Sequence, residues 1–247
     1  MKKILVANWK MRITHEQAIE FAKKVKNLKS RKYDIALAPS FVSLEAVGRI
    51  LKKSNISLVA QDISAWEFGA YTGEVMGQDL KKLGCKYVII GHSERRQYLH
   101  EDGSLINQKI KIALKNKLIP ILCIGETMQE RKSGNTAAML VQEIKQALSD
   151  IPNLNQHNLL ISYEPIWAIG TGTTLRADEC EEAYRVIKRA ITTLCSEEYF
   201  QRKVKLLYGG SINATNMAEL SQLPQISGYL IGGGSVDFVK FRQIVEA

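Results

Sequence analysis

Eight short apolar runs alternate with longer amphipathic stretches along the 247 residues, and this alternation constrains the fold more than any other feature. Each run is apolar at nearly every position, which is typical of a parallel strand covered on both faces. The runs are Ile4–Ala7, Ile35–Ala38, Ile56–Ala60, Tyr87–Ile90, Ile119–Ile124, Leu159–Tyr163, Val204–Tyr208 and Gly228–Ile231. Between them, His15–Leu28, Ala137–Leu148 and Ala177–Leu194 have the three- and four-residue apolar spacing of helices.

Eight strand–helix units in a chain of this length predict an α/β protein with a closed (β/α)8 barrel and outer helices. An open, doubly wound sheet is the alternative. It usually carries a glycine-rich phosphate loop after its first strand, where this chain has Asn8-Trp9-Lys10. No linker rich in Pro, Gly or Ser divides the chain, so we expect residues 1–247 to form a single barrel domain.

The composition restricts the class of partner. Lys and Arg total 34 against 25 Asp and Glu, and this net charge of +9 permits nucleic acid, an anionic membrane or an anionic small molecule. The basic residues are scattered and lack interleaved aromatics, so we expect no nucleic-acid partner. No apolar stretch approaches the ~20 residues of a membrane span, and no export signal is evident. The four cysteines have no C-x-x-C spacing; they are Cys85, Cys123, Cys180 and Cys195. We therefore expect a cytoplasmic protein with reduced thiols. We also expect no membrane partner.

In a (β/α)8 barrel the functional site is formed by the loops that follow the carboxyl ends of the strands. Three side chains in such positions could carry chemistry: Lys10, His92 and Glu164. Glu164 is held extended by Pro165 and is followed by an apolar segment that would shield a general base, although it could also be a structural ion-pair partner. His92 precedes a helix start, which disfavours imidazolium, so we expect a neutral ring that donates a hydrogen bond, or else a structural hydrogen-bonding residue. Lys10 would stabilise anionic charge, or form a rim ion pair with Glu94.

Three glycine clusters follow the sixth, seventh and eighth runs: Gly170-Thr171-Gly172, Gly209-Gly210-Ser211 and Gly232-Gly233-Gly234-Ser235. Glycine lets the backbone approach a phosphate closely. Consecutive N–H groups and the start of a following helix can then bind the negative charge of that phosphate. Barrels commonly bind phosphate at their last loops. The three clusters together predict a phosphorylated substrate. No set of His and Asp residues suits a metal at the strand ends, so we expect no metal.

Five segments of the chain resemble, in order and spacing, the signature segments of the triosephosphate isomerase family. They are Asn8-Trp9-Lys10-Met11, Gly91-His92-Ser93-Glu94-Arg95-Arg96, Ser162 to Gly172, Tyr208-Gly209-Gly210-Ser211 and Gly232-Gly233. The resemblance implies a glycolytic and gluconeogenic isomerase that interconverts dihydroxyacetone phosphate and glyceraldehyde 3-phosphate without a cofactor.

The resemblance also implies individual roles. Glu164 would be the base, and His92 would polarise the carbonyl with Ser93 helping to fix its ring. Lys10 and Asn8 would bind substrate and stabilise the oxyanion, and Glu94 would support them. Main-chain N–H groups of Gly170, Ser211, Gly232 and Gly233 would hold the phosphate.

A closing lid is implied over Pro165, Ile166, Trp167, Ala168, Ile169, Gly170 and Thr171, with Trp167 bonded to Glu126 in the open state and Tyr208 and Ser211 as latches. The loop from Gln61 to Glu74, which includes Thr72 and Gly73, would form the contact of a homodimer, and Thr72 would reach the region of Asn8 and Lys10 in the neighbouring subunit. The chain departs from the family pattern at Arg12, where a small residue is common, and at the second lid hinge, Thr173-Thr174-Leu175.

Two other functions stay open from the residues alone. Another phosphate-binding barrel enzyme, such as a sugar-phosphate epimerase, would keep the glycine loops but not the joint presence of Lys10, His92, Glu164 and the lid. A basic protein that binds nucleic acid or a surface would use the positive charge and would have no need of the catalytic set.

Overall fold

The computed structural model describes residues 2–171 and 175–247 and contains a closed barrel of eight parallel strands. The strands are β1 (Lys3–Asn8), β2 (Tyr33–Ala38), β3 (Ser57–Ala60), β4 (Cys85–Ile90), β5 (Ile119–Ile124), β6 (Leu159–Tyr163), β7 (Val204–Tyr208) and β8 (Gly228–Ile231). Each strand pairs with its neighbour in sequence, and β1 closes on β8 with Leu5 opposite Tyr229. The predicted (β/α)8 barrel is therefore confirmed, and the open sheet is not.

Helices surround the barrel. They are α1 (His15–Val25), α2 (Phe41–Leu51), α3 (Gly77–Lys82), α4 (Ser93–Tyr98), α5 (Gly103–Lys115), α6 (Met128–Lys132), α7 (Thr136–Leu148), α8 (Ala177–Leu194), α9 (Glu197–Lys203), α10 (Ala214–Ser221) and α11 (Phe238–Glu246). Helix α8 has the predicted bounds, whereas α1 ends three residues before Leu28. Leu28 still packs against the core from the following turn, so its apolar character does not mark the helix end. No helix in the two described ranges is long and apolar enough to cross a membrane.

The continuous apolar runs arise because both faces of each strand are buried. Val6 of β1 points into the barrel with residues such as Ile89, Cys123 and Leu207. Its neighbours Leu5 and Ala7 belong instead to the layer between the barrel and the helices. Burying a Leu, Ile or Val side chain contributes roughly 1.5–3 kcal/mol. A polar residue inside a strand would forfeit that contribution, so polar chemistry is confined to the strand ends.

A cluster of three buried charged side chains, Asp62, Glu101 and Lys109, together with the partly buried Arg95, fastens the loop after β3 to α4 and α5. Lys109 Nζ lies 2.8 Å from both carboxylate oxygens of Asp62 and also pairs with Glu101. Arg95 contacts Asp62 at 2.8 Å and Glu101 at 2.7 Å. Burial raises the pKa of Asp62 to about 6, although Lys109 and Arg95 act in the opposite direction. Because Arg95 is part of α4, this cluster fixes the helix that follows His92.

Candidate active site

The loop after β1 projects its lysine over the mouth of the barrel. Lys10 has a left-handed backbone (φ 53°), and the Asn8 side-chain oxygen accepts a hydrogen bond from its N–H at 3.1 Å. The Gln61 side chain donates to the carbonyl oxygens of Lys10 (3.0 Å) and Ala38 (2.9 Å). Lys10 Nζ pairs with Glu94 Oε1 at 2.7 Å. The rim ion pair and the placement of the lysine at the mouth are thus both present.

His92 caps α4 and is 6% exposed. Its Nδ1 accepts a hydrogen bond from the Glu94 N–H at 3.3 Å, and its Nε2 lies 3.6 Å from Glu164 Oε1. Glu94 therefore holds the ring, whereas the sequence indicated Ser93. The second N–H of the helix points back at its own cap, which brings Glu94 rather than Ser93 to the imidazole.

Glu94 is the half-exposed carboxylate that joins Lys10 to His92. Burial opposes its ionisation, but the hydrogen bond from Lys10 and the charges of Lys10 and Arg12 act against that effect, and the pKa of Glu94 is lowered. Glu94 is therefore ionised at neutral pH, and the pair that it forms with Lys10 carries no net charge.

Glu164 is 1% exposed and follows the last residue of β6. The Ser93 N–H lies 3.4 Å from its Oε2, while Oε1 has no hydrogen-bond partner among the residues that the structure describes. Burial together with the neighbouring Glu164 raises the pKa of the Cys123 thiol well above its ordinary value, which keeps that neighbour neutral. The unpartnered oxygen of a buried carboxylate is suited to accept a proton.

Two glycines make room for Glu164. A Cβ on Gly125 would lie 1.7 Å from the Glu164 carbonyl oxygen, and one on Gly209 would lie 2.7 Å from Glu164 Cγ. Any larger residue at Gly125 would therefore displace the chain that carries the carboxylate. The sequence reasoning missed Gly125, although its position directly after β5 is a signal that could have found it.

The glycine clusters meet the three side chains in one cavity of about 320 Å³. Its lining includes the predicted residues Asn8, Lys10, His92, Glu164, Gly170, Ser211, Gly232 and Gly233, and in addition Arg12 and Ile169. Gly233 opens a short 3₁₀ turn that Ser235 closes with its N–H on the Gly232 oxygen at 2.9 Å. Glycine-rich backbone, a cation, an imidazole and a carboxylate therefore line one volume, whose size suits a small phosphorylated molecule.

The segment Pro165–Thr171 covers part of the cavity. Ile166–Ala168 forms a 3₁₀ turn, and Ile169 reaches the cavity wall. Trp167 Nε1 donates to Glu126 Oε1 at 2.9 Å, which is the contact expected of an open lid. The Arg131 guanidinium stacks on the Trp167 ring at 4.6 Å, and the Tyr163 hydroxyl donates to Glu126 at 3.0 Å. Trp167 is therefore bound in this position by several contacts.

Similarity to known proteins agrees with this geometry. A sequence model of the family described as "Triosephosphate isomerase" matches residues 3–247. Proteins with that same name from Moorella thermoacetica and Dictyoglomus turgidum are 39% and 40% identical to this chain, over 244 and 249 residues. The alignments cover 98% and 100% of this chain and 97% and 99% of those relatives. A third, from Chlorobium luteolum, is 41% identical over 249 residues, with 100% of this chain and 98% of the relative covered.

The chain belongs to the triosephosphate isomerase family. The resemblance drawn from the five segments is thereby confirmed, as is the expectation of an isomerase with the barrel found in triosephosphate isomerase. Membership in this family favours neither the other phosphate-binding barrels nor a nucleic-acid-binding protein.

The triosephosphate isomerase family segments also contain a residue whose structural task the sequence did not predict. Arg96 donates to the carbonyl oxygens of Gly91 (2.7 Å) and Cys123 (2.9 Å) and pairs with Glu143 at 3.2 Å. Glu143 in turn accepts from the Gly125 N–H at 2.9 Å. Arg96 thus ties the residue after β4 to strand β5 and to helix α7, and only the fold brings Cys123 and Glu143 to it.

Some predicted residues lie elsewhere. Thr72 and Gly73 are on an exposed loop outside the cavity lining, beside Trp66 and Tyr71, whose rings stack at 4.2 Å. Of the second lid hinge, Thr173 and Thr174 lie outside the described residues, as does Gly172. The Leu175 N–H donates to the Tyr208 hydroxyl at 3.3 Å. Within residues 2–171 and 175–247, no group of three or more His, Cys, Asp or Glu side chains could hold a metal ion.

Proposed function

We propose that this chain interconverts dihydroxyacetone phosphate and glyceraldehyde 3-phosphate through an enediolate, with Glu164 as the base. One observation carries the assignment: an unpartnered oxygen of a buried carboxylate faces His92, Lys10 and a glycine cradle across one cavity. Isomerisation of an α-hydroxy carbonyl needs a base on carbon, a donor on oxygen and a site for the phosphate, and this cavity has all three.

In the proposed reaction, Glu164 Oε1 takes the proton from the carbon next to the carbonyl group. The same carboxyl group returns the proton to the neighbouring carbon, which converts ketose into aldose. The Ser93 N–H holds the other carboxylate oxygen, so Oε1 stays directed at the substrate. The 3.6 Å between Glu164 Oε1 and His92 Nε2 lets the two groups act on adjacent substrate atoms.

His92 donates from Nε2 to the substrate oxygens and moves protons between them. Its Nδ1 already accepts the Glu94 N–H, which places the remaining ring proton on Nε2. Lys10 and Asn8 stabilise the negative charge that develops on the enediolate oxygen. Glu94 is the supporting carboxylate, because its ion pair sets the position of Lys10.

The phosphate binds to main-chain N–H groups at Gly170, Ser211, Gly232 and Gly233. Closure of Pro165–Thr171 brings Ile169 over the cavity and expels water, which strengthens the electrostatic interactions and protects the enediolate. In closing, Trp167 leaves Glu126, and Tyr208 and Ser211 latch the lid. Triosephosphate isomerase is the standard example both of a neutral catalytic histidine and of a gating loop, so these two features are not particular to this chain.

At the level of the whole chain, we propose that residues 1–247 act as one catalytic unit in the cytoplasm, as a homodimer, without nucleic acid or membrane as partner. Exposed apolar side chains on the loop after β3, Phe68 above all, support a subunit contact there. The proposed steps use only side chains and N–H groups of this chain.

The test is a coupled assay of glyceraldehyde 3-phosphate formed from dihydroxyacetone phosphate. We expect turnover by the unaltered chain, and a loss of roughly 10³-fold in kcat for Glu164→Gln, with inorganic phosphate still inhibiting. Glu219→Gln, an exposed position on α10, is the matched control and should keep full activity. Equal turnover by Glu164→Gln and the unaltered chain would remove Glu164 as the base.

A further inference from the structure

Two cationic side chains stand over the glycine turn that follows β8. A Cβ on Gly232 would lie 3.6 Å from Lys10 Nζ, and a Cβ on Gly233 would lie 3.6 Å from Arg12 Nη1. Arg12 and Lys10 both line the 320 Å³ cavity. The two adjacent N–H groups proposed to bind phosphate are therefore each next to a positive charge.

The position of Arg12 follows from the loop that carries it. Its N–H donates to the Trp9 carbonyl oxygen at 3.2 Å, which closes a turn around the left-handed Lys10. Trp9 is fully buried, and Gln61 holds the Lys10 carbonyl oxygen, so both ends of the turn are fixed. Arg12 therefore follows an anchored stretch of backbone, so binding a ligand with its side chain does not require that stretch to become ordered.

The Arg12 guanidinium is available to a ligand, although its charge also acts on the nearby Glu94 carboxylate. Within the described residues, its guanidinium has no ion pair and no hydrogen bond, whereas Lys10 is paired with Glu94 at 2.7 Å. Because Glu94 is paired directly with Lys10, the N–H donors of Arg12 stay available and its positive charge adds to that at the cavity. Its five N–H donors match the oxygens of a phosphate, to which a guanidinium can bind bidentately.

We propose that Arg12 is a phosphate-binding residue of this site, acting beside the N–H groups of Gly232 and Gly233. The inference rests on the proposed function and deepens it, because it assigns a further ligand to the phosphodianion of the substrate. Lys10 and Arg12 then have separate tasks. Lys10 stabilises charge at the reacting oxygen, while Arg12 binds charge at the phosphate.

The experiment compares substrates with and without the phosphate group. Arg12→Gln should lower kcat/KM for glyceraldehyde 3-phosphate roughly tenfold and raise the inhibition constant of inorganic phosphate by a similar factor. Turnover of glyceraldehyde, which lacks the phosphate, should stay unchanged. Arg12→Lys should restore part of the loss because it retains the charge but not the fork. Arg31→Gln, the same substitution at an exposed position before β2, is the matched control and should change none of these values.

Three results would overturn the inference. The first is an unchanged inhibition constant for phosphate in Arg12→Gln, and the second is an equal loss on both substrates, which would indicate general damage to the site. The third is a loss that follows subunit dissociation in sedimentation and disappears at high protein concentration, because Arg12 would then be an interface residue. If the unaltered chain does not isomerise triose phosphates, the proposed function fails. Titration of phosphate into the unaltered chain and Arg12→Gln still decides the role of Arg12.

Discussion

At the scale of single residues, hydrogen-bond partners determine which nitrogen of His92 carries the proton. The imidazole of His92 has two competing neighbours at Nδ1, the Glu94 N–H at 3.3 Å and the Glu94 carboxylate oxygen at 3.5 Å. A donor and an acceptor at the same nitrogen favour opposite tautomers. Lys10 pairs with the other oxygen of that carboxylate, Oε1, at 2.7 Å. Of the two neighbours of Nδ1, only the Glu94 N–H forms a hydrogen bond with it, so the N–H is the partner of the ring.

We therefore expect the proton of the neutral His92 ring to lie on Nε2. Nitrogen NMR of the ring, with signals assigned by comparison with His92→Gln, measures this directly. Glu94→Gln removes the charge of the carboxylate but keeps the main-chain N–H at this position. The same tautomer should therefore persist in that variant. A proton found on Nδ1 in the unaltered chain would contradict the geometry.

At the scale of elements, the buried Glu143 joins α7 to the barrel. It accepts the Gly125 N–H beyond β5 and pairs with Arg96 of α4. Burial raises the pKa of Glu143 to about 7, although Arg96 and the Gly125 N–H act against that change. The unfolded chain has no such burial, so its carboxyl group releases the proton at lower pH than the folded chain does.

Between the two pKa values the folded state binds more protons than the unfolded state, so this group makes folding less favourable as the pH rises. For the unaltered chain we expect the Glu143 contribution to the free energy of unfolding to fall by roughly 2 kcal/mol between about pH 5 and 8. Glu143→Gln keeps an acceptor for Gly125 and cannot ionise, so its stability should decline less over that interval.

Urea unfolding at both pH values measures the difference between the two chains. Glu181→Gln, at an exposed position of α8, serves as the control and should parallel the unaltered chain. Parallel curves for Glu143→Gln and the unaltered chain would show that Glu143 does not supply this pH dependence.

At the scale of the whole molecule, the loop after β3 leaves an apolar surface that the barrel does not cover. Phe68 is 81% exposed, and Met11, on the loop after β1, is 96% exposed. Large apolar side chains that the fold leaves exposed on the loops of a barrel domain indicate a protein contact. In a homodimer the same surface is used by both copies, so one substitution alters both sides of the contact.

Thr72→Arg should therefore shift the chain toward the monomer, because two charged side chains would enter the symmetric contact. Sedimentation velocity over a range of protein concentrations measures the association. Thr215→Arg, at an exposed position of α10, introduces the same side chain away from that loop and should leave the association unchanged. A Thr72→Arg chain that associates as tightly as the unaltered chain would place the subunit contact elsewhere.

The sequence by itself determined the barrel and the identity of the main site residues. Eight doubly buried strands require eight apolar runs, and a parallel sheet places every strand's carboxyl end at one face, so Lys10, His92 and Glu164 could be assigned to a common rim before any contact was known. The number of strands and the shared rim both follow from local patterns. Every residue of a strand covered on both faces is buried and therefore apolar, and the direction of the strand fixes which of its two loops faces the site.

Only the tertiary structure decided how those side chains are held. Gly125 makes room for Glu164, Gln61 fixes the loop of Lys10, and Arg12 lies beside Gly233, although the partners in each case are separated by dozens or hundreds of positions in the chain. Hydrogen bonds and close approaches of this kind depend on distances of a few ångströms between loops. Such distances are set by the packing of the whole barrel, which no local pattern of residues records.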